Sequence, residues 1–115
     1  MHYKALFLDL DGTTVPTAAR AASTKVVQAI AAADEKLTVC IATGRPLPNA
    51  MPVIEQLKIN GLCVIANGIQ IYDPVKKAVI KQIDLDQQKV PQIVNILKKY
   101  SKEIFLFDGK EDVLV

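Results

Sequence analysis

The sequence predicts an α/β fold built on a parallel sheet, and three observations support this prediction. Residues 5–8, 37–42 and 62–66 are apolar runs without alternation, which is typical of strands buried on both faces of a parallel sheet. Two predicted helices, at about 24–36 and 47–58, separate these runs. Strands and helices that alternate in this order imply parallel pairing with right-handed crossovers, which is the beginning of a Rossmann-like layer.

Local signals mark the ends of the two helices. Ser23 is a favoured N-cap residue, and the segment that follows it repeats apolar side chains at helical spacing. Asn60-Gly61 is a typical stop signal for the second helix. Both helices are therefore expected to cover the sheet.

After Gly68 the pattern changes to shorter segments. Residues 69–72 and 78–83 are separated by turn-forming residues, which predicts a pair of antiparallel strands. An amphipathic helix is predicted at about 86–100, and Pro91 favours a start somewhat later than residue 86.

Two last strands, at 104–107 and 113–115, are predicted on either side of a turn. The change after Gly68 suggests a domain boundary. We therefore expect residues 1–68 to form the N-terminal part of the core domain and residues 69–115 to belong to a second substructure.

Composition excludes several classes of protein. The chain has 115 residues, of which 50% are hydrophobic, and this is enough for the core of one domain. The net charge is +2 with scattered basic residues, so nucleic acid is not an expected partner. Cys40 and Cys63 each lie in an apolar run, which favours small buried side chains over a disulfide. No signal-peptide pattern or membrane-length apolar stretch is present, so we expect a cytoplasmic protein without a membrane partner.

The segment Asp9-Leu10-Asp11-Gly12-Thr13 carries the strongest functional signal. It follows directly on the first predicted strand, and residues two apart on a strand point to the same side. Two carboxylates at a strand end indicate a cation site, and Gly12 lets the backbone turn close to a ligand. The alternative is a solvated loop with two ordinary acids. Ligands of parallel sheets bind beyond the carboxyl ends of the strands, where Thr43 and Asn67 also fall.

Three motifs in this order resemble a known family. Asp9-Leu10-Asp11-Gly12-Thr13 resembles the first signature of haloacid dehalogenase-like hydrolases. Ala42-Thr43-Gly44-Arg45 resembles the second signature as it occurs in the Cof-like subgroup, and Ile65-Ala66-Asn67-Gly68 is similar to that subgroup as well. The resemblance covers essentially the whole chain and implies that it is the N-terminal portion of such a protein.

The resemblance implies a phosphohydrolase acting on small phosphorylated metabolites such as sugar phosphates. Asp9 would be the nucleophile that forms an aspartyl-phosphate, and Asp11 would be the general acid and base. Mg²⁺ would be held by the Asp9 carboxylate and by the backbone carbonyl of Asp11.

The same resemblance assigns phosphate or substrate binding to the loops after the next two strands. Thr43 and the Gly44 N–H would donate to phosphoryl oxygens, although Thr43 is also a suitable helix N-cap. Arg45 would either reach the substrate or pair with an acid of the core. Asn67 would contact the substrate or form a simple turn.

The chain departs from the family pattern in two ways. Thr14 stands where an apolar residue is common, and this affects packing without touching the proposed chemistry. More seriously, the lysine and the acidic loop of the later family motifs are absent, and residues 69–115 resemble the beginning of an α/β cap domain. We therefore expect the chain alone to be inactive or incomplete, with an exposed sheet edge and a tendency to self-associate.

Two other functions remain open at this point. A phosphomutase of the same superfamily would use the same pair of aspartates but return the phosphoryl group to a sugar, so product analysis would separate it from a phosphatase. A catalytically silent, truncated interaction module would keep the fold without the reaction.

Overall fold

The structure, a computed structural model, describes residues 2–115. It consists of two compact units, of which the first ends at Gln82 and the second spans Ile83–Val115. Each unit has its own sheet. The candidate site residues all belong to the first unit.

The first unit is a five-stranded sheet with two helices, as the α/β prediction requires. Its strands lie in the order β1-β2-β3-β4-β5, with β1–β2 and β2–β3 parallel and the last two pairings antiparallel. The elements are β1 (Ala5–Leu8), α1 (Thr24–Asp34), β2 (Thr38–Ala42), α2 (Leu47–Gln56), β3 (Cys63–Ile65), β4 (Gln70–Asp73) and β5 (Ala78–Gln82). The predicted Rossmann-like arrangement of strands and helices is confirmed.

The core of this unit lies between the middle of the sheet and the helices. Val39 and Ile41 on β2, Ile65 on β3 and Val53 on α2 are almost completely buried. Leu10, which separates the two aspartates, is fully buried in the same cluster. Burial of this side chain anchors the loop after β1 to the core.

The prediction that every parallel strand is buried on both faces is wrong for β1. In β2, Val39, Cys40 and Ile41 are buried, but Phe7 in β1 is 56% exposed and Leu6 is 37% exposed. The reason is position, because β1 is the edge strand of this sheet and pairs only with β2. The expected exposed edge is therefore present, whereas self-association through it stays a prediction.

The N-cap predicted for α1 is confirmed, whereas the stop signal predicted for α2 is wrong. The Ser23 hydroxyl accepts a hydrogen bond from the Val26 N–H at 3.3 Å, so Ser23 caps α1 as predicted. Helix α2 ends at Gln56, and the residue with a left-handed backbone beyond it is Lys58, with φ of 52°. Gly61 is not the residue that stops this helix.

The second unit contains α3 (Val90–Leu97), β6 (Phe105–Phe107) and β7 (Asp112–Leu114). Lys89 is the N-cap of α3 and Pro91 lies in its first turn, which confirms the later start that Pro91 favours. Strands β6 and β7 form an antiparallel hairpin, with Val94 and Ile104 as the buried apolar side chains of this unit. The proposed domain boundary after residue 68 stays a prediction.

Two further expectations concern the whole described chain. Cys40 and Cys63 are free and buried, which confirms their predicted structural role. None of the helices within residues 2–115 combines the length and apolar character that crossing a membrane requires.

Candidate active site at the carboxyl ends of the parallel strands

The loop after β1 is a tight turn organised around Leu10. The Leu10 carbonyl accepts hydrogen bonds from the N–H groups of Thr13, Thr14 and Val15 at 3.0–3.2 Å. Gly12 has φ of 74°, a conformation that glycine adopts without strain. Strand β1 ends at Leu8, so this turn, and not strand alternation, sets the positions of the two aspartates.

The side chain of Asp9 is exposed directly beyond the end of β1. One carboxylate oxygen accepts the Leu10 N–H at 2.7 Å, and the Asp9 carbonyl accepts the Thr14 hydroxyl at 2.6 Å. Thr14 is buried, and this hydrogen bond satisfies a polar group at a position where an apolar residue was expected. Asp9 is thus fixed through its backbone while its other carboxylate oxygen faces no partner within residues 2–115.

Asp11, in contrast, accepts hydrogen bonds on both of its carboxylate oxygens. Arg45 binds it in a bidentate manner, with Nε at 2.9 Å from Oδ2 and Nη2 at 2.6 Å from Oδ1. The Ala18 N–H adds a hydrogen bond to Oδ1 at 2.7 Å. The Arg45 hydrogen bonds, followed by that of Ala18, lower the pKa of the Asp11 carboxyl to about 2.

Arg45 is itself held on several sides. Its Nη1 donates to the Asn49 carbonyl at 3.2 Å, and its side chain is 10% exposed. Its backbone N–H donates to the Thr43 hydroxyl oxygen at 3.1 Å, and its carbonyl accepts the Ala66 N–H at 2.8 Å. Of the two roles considered for Arg45, the structure contains the pairing with a core acid.

The loops after β2 and β3 are joined by backbone hydrogen bonds. The Asn67 N–H donates to the Thr43 carbonyl at 3.3 Å, and Asn67 has a left-handed backbone with φ of 56°. A Cβ on Gly44 would lie 2.7 Å from Asn67 Oδ1, so glycine at this position accommodates the amide in its present orientation. Thr43 is buried, and its hydroxyl oxygen accepts from Arg45, which leaves the hydroxyl hydrogen free to donate to a ligand. The N-cap of α2 is Pro46, so Thr43 does not cap this helix.

The structure therefore brings the predicted residues together in two groups. Asp11 and Arg45 form one group, and Thr43, Gly44, Arg45 and Asn67 form the other, with Arg45 common to both. Asp9 lies at the same end of the sheet as both groups, since Leu8 of β1 pairs with Ile41 of β2. Its side chain makes no hydrogen bond to any of the other five predicted site residues.

Sequence reasoning missed two residues that belong to, or bind, the segment between β1 and α1. Gln56 on α2 forms two hydrogen bonds with the Ala22 backbone, at 2.7 Å to the N–H and at 3.0 Å from the carbonyl. Arg20 lines a cavity that Asp11 and Arg45 also line. Neither Gln56 nor Arg20 belongs to one of the three motifs. Gln56 is distant in sequence from Ala22, and Arg20 is distant in sequence from Arg45.

The residues present offer part of a Mg²⁺ shell. The free oxygen of the Asp9 carboxylate and the Asp11 carbonyl oxygen accept no hydrogen bond within residues 2–115, and oxygen donors are the ligands that Mg²⁺ prefers. Over the same residues, no group of three or more Asp, Glu, His or Cys side chains could hold a metal. By chemical type, these two oxygens are suitable Mg²⁺ ligands, and the remaining ligands would come from water and substrate.

The structure is that of an α/β protein with a group of polar residues beyond the carboxyl ends of its parallel strands. A family model described as haloacid dehalogenase-like hydrolase matches residues 6–114, and the chain belongs to this family. The resemblance inferred from the three motifs is thereby confirmed. Among proteins with curated functions, none matches the chain.

Several solved structures are similar to this chain. A haloacid dehalogenase-like hydrolase from Bacteroides thetaiotaomicron is 26% identical with a TM-score of 0.79, and the match covers 97% of this chain and 43% of that one. The sugar phosphatase BT4131, of haloacid dehalogenase subclass IIB, is 25% identical with a TM-score of 0.76, covering 97% and 44%. A haloacid dehalogenase-like hydrolase from B. subtilis is 25% identical with a TM-score of 0.75, covering 91% and 36%. The chain thus spans less than half the length of each.

Proposed function

We propose that this chain carries the nucleophile and part of the phosphate site of a Mg²⁺-dependent phosphoric monoester hydrolase. The observation that carries the proposal is the loop after β1, in which Leu10 is buried while the Asp9 carboxylate is exposed with one oxygen free. Family membership and the likeness to a sugar phosphatase support small phosphorylated metabolites, such as sugar phosphates, as substrates. The location we propose is the cytoplasm, on the sequence argument given above.

The reaction we infer has two displacements. The free Asp9 oxygen attacks phosphorus, the bond from phosphorus to the substrate oxygen breaks, and an aspartyl-phosphate forms. Water then attacks this phosphorus, the bond to the Asp9 oxygen breaks, and inorganic phosphate leaves. Bound Mg²⁺ would supply charge neutralisation between a carboxylate and a phosphate. Thr43 and the Gly44 N–H would donate hydrogen bonds to the phosphoryl oxygens.

Asp11 would transfer the protons in both displacements. It would protonate the leaving oxygen in the first, and it would accept a proton from water in the second. With its pKa lowered to about 2 by Arg45, Asp11 is an ionised carboxylate near neutral pH and has no proton to give. The proposed mechanism therefore requires Arg45 to release Asp11, and it requires the released carboxylate to take up a proton before the first displacement. A phosphate monoester is a suitable competitor, because it offers a guanidinium the same bidentate geometry as a carboxylate.

The experiment that tests this proposal measures phosphate release from an aryl phosphate with and without Mg²⁺. The wild-type chain is compared with Asp9→Asn and with Asp34→Asn, a matched change at an exposed acid at the end of α1. Mass spectrometry of the protein during turnover looks for one added phosphoryl group.

Mg²⁺-dependent release and phosphorylation that disappear in Asp9→Asn and persist in Asp34→Asn would support the proposal. Equal activity in the Asp9→Asn variant would contradict it. Absence of release and of phosphorylation in all three proteins would agree with a chain that is incomplete without the later family motifs, or with the catalytically silent module. Transfer of the phosphoryl group to added sugar would favour the phosphomutase.

A further inference from the structure

A cavity of about 500 Å³ opens beside Asp11 in the first unit. This volume is sufficient for a small metabolite. The cavity is lined by Asp11, Thr17, Ala18, Arg20, Arg45 and Asn49. Asp9 is not among these residues. A group that exchanges a proton with Asp11 must lie within hydrogen-bond reach of it, so the space that borders Asp11 but not Asp9 suits the leaving group of a substrate rather than its phosphoryl group.

The charges that line this cavity do not cancel. Asp11 and Arg45 neutralise each other through their bidentate pair. Arg20 is exposed and forms no ion pair or hydrogen bond with any residue in the range 2–115. One positive charge is therefore left over, together with the neutral polar side chains of Thr17 and Asn49.

The backbone that carries Arg20 is fixed on both sides. On one side, the Ala18 N–H is hydrogen-bonded to the Asp11 carboxylate at 2.7 Å, and Ala18 has a left-handed backbone with φ of 61°. On the other side, Gln56 holds both polar groups of the Ala22 backbone. An alanine in this conformation is uncommon, and these contacts hold it there. The backbone of Arg20 therefore has a defined position at the cavity wall, from which its side chain extends.

We propose that this cavity is a leaving-group subsite that selects substrates with a second anionic group, and that Arg20 is its specificity-determining residue. The inference rests on the proposed phosphatase function and refines its substrate class from small phosphorylated metabolites to phosphorylated acids and bisphosphates. The second anion, either a carboxylate or a phosphate, pairs with Arg20 while the hydroxyl groups of the substrate meet Thr17 and Asn49.

Paired probes that differ mainly in a second anionic group test the subsite in the full 115-residue chain. The carboxylate arm compares 3-phosphoglycerate with glycerol 3-phosphate, and the phosphate arm compares fructose 1,6-bisphosphate with fructose 6-phosphate. Affinities are measured by NMR titration, which also follows the Ala18 N–H and the Arg20 Nε–H. We expect the probe with the second anion to bind about fivefold more tightly in at least one arm, as a partly exposed arginine–anion pair allows.

Charge-matched variants assign the preference to Arg20. Arg20→Gln should remove the fivefold ratio, whereas Lys36→Gln, which removes an exposed charge just beyond α1, should keep it. Arg20 is exposed and forms no hydrogen bond or ion pair within residues 2–115, so we expect Arg20→Gln to leave the fold intact, and the thermal unfolding of the variant checks this.

Equal binding of both probes by the wild type, or a ratio that survives Arg20→Gln, would overturn the subsite. Failure of the wild type to bind any probe would overturn it as well. Thr43→Val tests the proposed function separately, because it should weaken the binding of both probes of a pair by the same factor. If the affinity ratio depends on Arg20 but Thr43→Val has no effect on binding, the subsite is supported and the proposed phosphate site is contradicted.

Discussion

Replacement of Gly61 by alanine should destabilise the first unit strongly, for a steric reason unrelated to turn conformation. A Cβ at this position would lie 2.3 Å from the Val39 carbonyl oxygen, 2.6 Å from Cys40 Sγ and 2.9 Å from Thr38 Cγ2. The first distance is about 1 Å short of the 3.4 Å at which ordinary contact begins. Val39 lies in the middle of β2 and pairs with Leu6 of β1, so its carbonyl cannot retreat without disturbing the sheet.

We expect Gly61→Ala to lower the free energy of unfolding by about 3 kcal/mol, which is at the upper end of what one inserted methyl group costs in a packed interior. The reduced entropy of the unfolded alanine chain offsets less than about 1 kcal/mol of this. In thermal unfolding the loss corresponds to a decrease in Tm of about 15 °C. Urea unfolding followed by circular dichroism measures it as a lower midpoint with an unchanged slope.

Gly44→Ala is the matched control for this prediction. Its Cβ would meet the side-chain tip of Asn67 at 2.7 Å, and an exposed amide can rotate away. We therefore expect a cost below about 1 kcal/mol for Gly44→Ala. A free energy of unfolding for Gly61→Ala within about 0.5 kcal/mol of the wild type, or equal to that of Gly44→Ala, would refute the steric argument.

Two further predictions concern side chains outside the motifs. Gln56→Ala should lower the free energy of unfolding by about 2 kcal/mol, because both hydrogen bonds to the Ala22 backbone are lost. Gln28→Ala, on the exposed face of α1, should lower it by less than about 0.5 kcal/mol. Equal losses for the two variants in urea unfolding would contradict the role of Gln56. Burial raises the pKa of the Cys63 thiol to about 11, so only about one Cys63 thiol in a thousand is ionised at pH 8. Iodoacetamide should therefore label Cys63 at least about a hundredfold more slowly in the native protein than in urea. Native labelling at the rate of the unfolded chain would show that the thiol is accessible and ordinary.

The order and type of the elements could be predicted because they depend on local pattern. The apolar runs, the cap at Ser23 and the position of Pro91 each act within a few residues, and the structure agrees with all of them. The burial of β1 could not be predicted in the same way. An apolar run without alternation indicates apolar neighbours, but the number of strands that flank it is a property of the whole sheet.

Gly61 illustrates a second limit of sequence reasoning. Asn-Gly after a helix predicts a left-handed stop, yet the chain makes its left-handed turn earlier, at Lys58. Glycine is required at 61 because β2 passes close to it, and this contact joins residues that lie more than twenty positions apart. A close approach of two backbones leaves the same sequence signal as a turn.

The Asp11–Arg45 pair is the part of the candidate site that the sequence left open, and it changes the mechanism most. The motif identifies an arginine beside Thr43, the threonine that we propose to bind phosphate, but not the acid that this arginine meets, which lies 34 residues earlier in the chain. In the structure the same guanidinium holds Asp11 ionised, while its backbone links Thr43 to the loop of Asn67. In the proposed mechanism, an incoming phosphate competes with Asp11 for that guanidinium, and the exchange replaces one bidentate anion by another, so its net cost is small compared with breaking the pair outright. In the mechanism we propose, the two roles considered for Arg45 are therefore successive states of one side chain, in which binding of the substrate phosphate frees Asp11 to take part in proton transfer.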